Sequence, residues 1–120
     1  DLEAVTPRPR RVALLGTLGT LKAGIYQQRM REKNFDVVLP GEAVQADVLA
    51  AIAAVKRNAM DEAEARADRA FQALASEGCD AALLACTELP LAARRAGLPL
   101  AIVDPTRSLA RACIDFSLSA

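Results

Sequence analysis

Asp80–Pro90 reads DAALLACTELP, and its reading decides the fold. The first six residues, Asp80–Ala85, are small and apolar and too few for a core helix. Such a run, bounded by turn residues, fits a strand buried on both faces of a parallel sheet. Gly78 stands just before it and Pro90 just after, and Pro90 suits the first turn of a short helix. The segment thus predicts strand, Cys86-Thr87-Glu88, then helix.

Working outward, the same pattern recurs. Arg11–Gly16 (RVALLG) is another apolar run closed by glycine. After the loop Thr17-Leu18-Gly19-Thr20, the i, i+4 pairs Leu21/Ile25 and Tyr26/Met30 predict one helix reaching about Lys33. Phe35–Leu39 is a short strand stopped by Pro40-Gly41. Val44, Val48, Ile52 and Val55 trace a helical face ending near Lys56. Asp61-x-x-Glu64 resembles a capping box opening the next helix. Ala63, Ala67, Ala70, Phe71 and Leu74 are its apolar stripe, with Gly78 as the stop. Pro99–Val103 is a brief fourth strand. Asp104-Pro105 opens a last helix, 105–118, carrying Leu109, Ala112, Cys113 and Phe116 on one face.

Strands alternating with helices predict an α/β fold, a three-layer α-β-α sandwich on a four-stranded parallel sheet. Residues 1–10, with Pro7 and Pro9 among arginines, read as a linker. Residues 11–120 read as one domain, the size that 120 residues allow.

Composition narrows the chemistry. Lys+Arg and Asp+Glu are 15 each, and aromatics are 3%, so nucleic-acid binding through basic and aromatic surface is not expected. No apolar stretch is long enough for a membrane span, and no signal peptide is visible. The chain has no histidine, which removes histidine catalysis and histidine metal ligation. Its three cysteines, Cys79, Cys86 and Cys113, match no zinc spacing. Reduced thiols in a cytoplasmic protein are the default, and no metal site is expected.

In parallel sheets, ligands bind at the carboxyl ends of the strands. That places Cys86–Glu88 and Thr17–Thr20 at the site. Amides at the helix start after Cys86 are expected to favour its thiolate and lower its pKa. A thiol titrating near neutrality can carry protons to and from carbon acids. The competing reading of Cys86 is a small buried hydrophobe. Cys79, before the strand, and Cys113, on an apolar helix face, read as structural. Thr17 and Thr20 fit an anion site beside a helix, or a turn with a threonine cap. Lys56 continues the Val48–Ile52 row, and either reaches a substrate carboxylate or snorkels at a helix end. Glu88 either binds a substrate amino group or tunes the thiol, or is a first-turn acid favoured by the dipole.

Three segments together resemble the aspartate/glutamate racemase family, which includes hydantoin racemases. They are Val12–Tyr26 (VALLGTLGTLKAGIY), Val44–Lys56 with Gln45, and Gly78–Leu91 (GCDAALLACTELPL), followed by Val103-Asp104-Pro105-Thr106. The resemblance implies two similar α/β domains, each supplying one cysteine. A cofactor-free enzyme of that kind moves the Cα proton of an amino acid between faces. It implies that this chain is the C-terminal half and that Cys86 is the second cysteine. Lys56 is implied to bind the side-chain carboxylate, with Thr17, Thr20 and Thr87 holding the substrate. The implied partners are an amino acid or dicarboxylate, the missing N-terminal half, and further copies in a homo-oligomer. Single-cysteine decarboxylases or cis–trans isomerases of the superfamily, and a non-catalytic dicarboxylate-binding domain, are the alternatives. Asn58 and Ala85 stand where the family often has glycine.

Overall fold

The computed structural model describes residues 9–94 and 97–104. Four strands, β1 (Arg11–Leu15), β2 (Asp36–Val38), β3 (Ala81–Leu84) and β4 (Ala101–Val103), form one sheet. Its order is β2-β1-β3-β4. Every pairing is parallel, with Leu15 opposite Leu84 and Ala82 opposite Ile102. The helices are α1 (Leu18–Ala23), α2 (Ile25–Glu32), α3 (Glu42–Lys56), α4 (Met60–Ser76) and α5 (Leu89–Ala92).

The continuous apolar runs of β1 and β3 divide between two cores by strand alternation. Ala13, Leu15, Ala82 and Leu84 pack with α3, α4 and α5. Val12, Leu14, Ala81 and Leu83 pack on the other face with Met30 of α2 and Phe35. The sheet is therefore covered on both sides, which is the expected α-β-α sandwich. Phe71 is fully buried in the larger core. Truncating such a ring costs about 3–5 kcal/mol. The predicted α4 stripe is the buried set: Ala63, Ala67, Ala70, Phe71 and Leu74.

Two local expectations are corrected. The helix after the threonine loop is broken in two at Gly24, which has φ +75. That left-handed conformation ends α1 and starts α2 anew, and glycine reaches it without steric cost. The Leu21/Ile25 pair therefore spans a break, and Ile25 is 65% exposed. The capping box at Asp61 does not form. α4 begins at Met60 with Ala59 as N-cap and no side-chain cap bond, leaving Asp61 inside the first turn. Asn58, just before it, has φ +60. Asparagine is the side chain best able to replace glycine there, which gives the family departure a physical reason.

At the amino end of the predicted domain, the Arg10 and Arg11 amides donate to the Asp80 carboxylate at 3.0 and 3.1 Å. Residues 1–8 of the expected linker, the expected helix 105–118 and Cys113 lie outside the described residues.

Candidate active site

The carboxyl edge of the sheet is built where β1 and β3 end side by side. The Ala85 amide donates to the Leu15 carbonyl at 2.8 Å, carrying the pairing past both strands. Gly16 is buried, and a Cβ placed there would lie 3.0 Å from the Ala85 oxygen. Real Cβ atoms rarely approach that close, so the edge is narrow because residue 16 lacks a side chain. Counting on from Leu15 opposite Leu84, Thr17 comes level with Cys86.

Cys86 continues the alternation of Ala82 and Leu84. It packs, half-buried, against the core beneath α3 and α5. Its Sγ donates to Glu88 Oε2 at 3.0 Å. Thr87 Oγ1 donates to the same oxygen, also at 3.0 Å. The expected lowering of the thiol pKa is reversed here. Burial pushes the thiol up first and the Glu88 carboxylate adds to it, while the Glu88 and Leu89 amides pull it down less strongly. The amides at the helix start thus act as expected but are outweighed. Glu88 itself is held below its ordinary value by the Cys86 and Thr87 hydrogen bonds, with a smaller push from the Lys56 charge.

The threonine loop adopts the capped-helix form. Thr17 is the N-cap of α1, accepting from the Thr20 amide at 3.3 Å, and the two hydroxyls lie 3.0 Å apart. Both side chains are half-buried. Lys56 is the last residue of α3, exposed, with its charge felt at Glu88. The structure therefore joins Cys86, Thr87 and Glu88 by hydrogen bonds, with Lys56 a smaller charge influence on Glu88, Thr17 level with Cys86, and Thr20 in α1 bonded to Thr17.

One residue quoted in the sequence resemblance, but given no role there, ties this edge together. Gln45, near the start of α3, donates from Nε2 to the Gly16 carbonyl at 3.0 Å. Its Oε1 is buried and has no partner among the described residues. α3 thus meets the edge near its start, through Gln45.

Cys79 marks the opposite edge. It is 6% exposed, and burial raises its pKa. A depression there is lined by Pro9, Arg10, Arg11, Asn34 and Asp36, far along the strands from Cys86. Among the described residues no group of three His, Cys, Asp or Glu side chains is arranged to hold a metal. No described helix is long and apolar enough to cross a membrane.

A four-stranded parallel sheet covered by helices on both faces defines the chain as an α/β protein. The chain belongs to the Asp/Glu/hydantoin racemase family, whose model matches residues 2–113. It is 32% identical over 108 residues to an uncharacterized protein of the pnlA 3′ region in Pectobacterium carotovorum subsp. carotovorum, covering 88% of this chain and 72% of that one. Aspartate racemase from Picrophilus torridus superposes with a TM-score of 0.77 at 32% identity, covering 89% of this chain. The chain spans 45% of that enzyme's length. A Yersinia pestis structure of the Asp/Glu racemase type, 24% identical, matches 92% of the chain and 49% of its own with a TM-score of 0.77, and supports the fold.

Proposed function

We propose that this chain supplies one of the two thiols of a cofactor-independent amino-acid racemase acting on aspartate or glutamate. The observation that carries it is Cys86. It is the thiol at the carboxyl edge of the sheet, bonded to an acid that feels the Lys56 charge and level with the threonine loop on the next strand. In the forward half-reaction the Cys86 thiolate takes the Cα proton, forming S–H and leaving the electron pair on carbon. In the reverse half-reaction the thiol gives its proton to that carbon and keeps the S–H pair as thiolate. Lys56 binds the side-chain carboxylate as a point charge. Thr17, Thr20 and Thr87 offer hydroxyls to the substrate. The second thiol, on the opposite substrate face, belongs to the N-terminal half of the enzyme. The reaction needs no metal or cofactor, and the enzyme acts in the cytoplasm.

A single thiol reaches only one face of Cα. The chain alone is therefore expected to wash deuterium from heavy water into one enantiomer with retention, and to invert little or none. Nuclear magnetic resonance of L- and D-aspartate and glutamate, with chiral separation, reads both quantities. Brisk inversion by the chain alone, or no exchange into any of these substrates, contradicts the proposal. Turnover of an arylmalonate or of maleate instead would point to a single-cysteine decarboxylase or isomerase.

The raised thiol favours one competing reading, a domain that binds small dicarboxylates without catalysis. In that case succinate or malate binds at Lys56, but no Cα exchange occurs at any pH.

A further inference from the structure

Glu88 places one carboxylate oxygen, Oε2, at 3.0 Å from two donors, the Cys86 thiol and the Thr87 hydroxyl. A thiol is a weak donor on a free rotor. An ionised acceptor at this distance fixes the rotor and gives a charge-assisted bond. From this geometry, and resting on Cys86 as the proton-transfer residue, we propose that Glu88 is a positioning residue. It holds the proton on the Cys86 sulfur, so that the resting site is the proton-donating form.

The groups facing this pair agree. From α5 and its start come the Glu88 and Leu89 amides, which favour the thiolate. The Cys86 and Thr87 hydrogen bonds hold Glu88 below its ordinary value, and from α3 the Lys56 charge adds a smaller push in the same direction. Thr87 adds a second bond to the same carboxylate. The pair therefore rests as thiol plus carboxylate rather than thiolate plus carboxylic acid. The proton balance gives Glu88 a role in both directions. When Cys86 donates, the S–H bond breaks and the new thiolate faces a carboxylate. That repulsion makes the sulfur a stronger base for the return step, in which a Cα–H bond breaks and S–H re-forms. Glu88 thus raises the basicity of a thiolate that the amides alone would make mild. On this account Glu88 acts through the sulfur and not on the substrate ammonium group.

The test is the pH profile of Cys86 alkylation by iodoacetamide, read peptide by peptide so that other cysteines do not contribute. The variants are E88Q, which keeps shape and removes charge, and E88D, which keeps charge. In E88Q, alkylation of Cys86 near neutral pH is expected to rise about tenfold, from the loss of a neighbouring like charge. E88D is expected to stay nearer to the unsubstituted chain. An unmoved profile in E88Q, or one shifted to higher pH, overturns the proposal. Should E88Q fail to fold by circular dichroism, the infrared S–H band of a C79S/C113S chain, in which Cys86 is the remaining thiol, decides. It is expected at the frequency of a hydrogen-bonded thiol, moving toward the free-thiol value as acid protonates Glu88. A free-thiol band that ignores pH overturns it. Neither reading involves Cα chemistry. Loss of the racemase assignment would leave the Cys86–Glu88 pairing standing, and the reverse also holds.

Discussion

A cysteine lies two residues beyond each end of β3, and the two ends of this one strand differ in almost everything else. Cys79, at the amino edge, is 6% exposed, and Asp80 beside it is tied to the Arg10 and Arg11 amides. The Arg11 guanidinium also donates to the Glu77 carbonyl and lies 3.7 Å from Asp36. That edge is tied together by its own hydrogen bonds. Cys86, at the carboxyl edge, is half-buried and bonded to a carboxylate that also feels a lysine. Both thiols are raised, chiefly by burial, so the pKa direction does not separate them. What separates them is access and, at Cys86, a hydrogen bond to a carboxylate. A cysteine becomes a candidate for proton transfer through what surrounds it, not through the shift alone.

Alkylation gives the largest expected contrast. At alkaline pH, Cys86 is expected to react with iodoacetamide at least about a hundredfold faster than Cys79, because buried structural thiols are inert. Peptide mass spectrometry reads both. Equal rates would break the comparison. Saturating succinate is expected to slow Cys86 alone, and the K56M substitution to weaken that protection about tenfold, through loss of one charge contact.

The narrowness of the carboxyl edge can be tested by two glycine substitutions. G16A forces a Cβ to within 3.0 Å of the Ala85 oxygen. It is expected to destabilise by about 1–3 kcal/mol in urea unfolding. G19A meets nothing within 4 Å in α1 and is expected to be neutral or stabilising by about 0.5–1 kcal/mol. Equal effects would mean that the edge is not held by the close approach at Gly16. At the turn before α4, N58A is expected to cost about 1 kcal/mol at its left-handed backbone, and N58G less.

The smallest effect belongs to the amino edge. Two backbone amides hold the Asp80 carboxyl below its usual range. A depressed pKa contributes stability above the unfolded-state value of about 3.9, lost as pH falls through the lower folded value. D80N is therefore expected to flatten the acid limb of the stability profile. Its cost near neutrality is under about 1 kcal/mol, because the group is exposed. It should leave Cys86 alkylation unchanged. A D80N effect on Cys86 would show that the two ends of β3 are coupled.

Much of this architecture was legible in the sequence. The apolar runs 11–16 and 80–85 and the stripe from Ala63 to Leu74 gave the sheet and its cover, because burial on two faces leaves no polar alternation to misread. The i, i+4 pair Leu21/Ile25 runs across the break at Gly24 and hides it, although Lys22 and Gly24 form an ordinary helix stop. Asp61 gave a false start, since its spacing to Glu64 fits a cap equally well one residue inside a helix. The site residues near Cys86 were legible as neighbours in sequence. The tie from Gln45 to Gly16 was not, because 29 residues separate them and only the folded sheet brings them together. The direction of the thiol's shift is not legible in the sequence for a related reason. The amides at the helix start are predictable from Pro90, but the depth of the sulfur and the turn of Glu88 back onto it are not.

The central claim is that the thiol at the carboxyl edge, and not the one at the amino edge, moves the Cα proton. Heavy-water exchange into aspartate by C79S and C86S, run side by side with folding verified for both, tests it most directly. The account predicts that C79S keeps its exchange and that C86S loses a factor of about 100 to 10,000, the range for a removed acid/base group. Exchange that survives in C86S, or disappears in C79S, would contradict it.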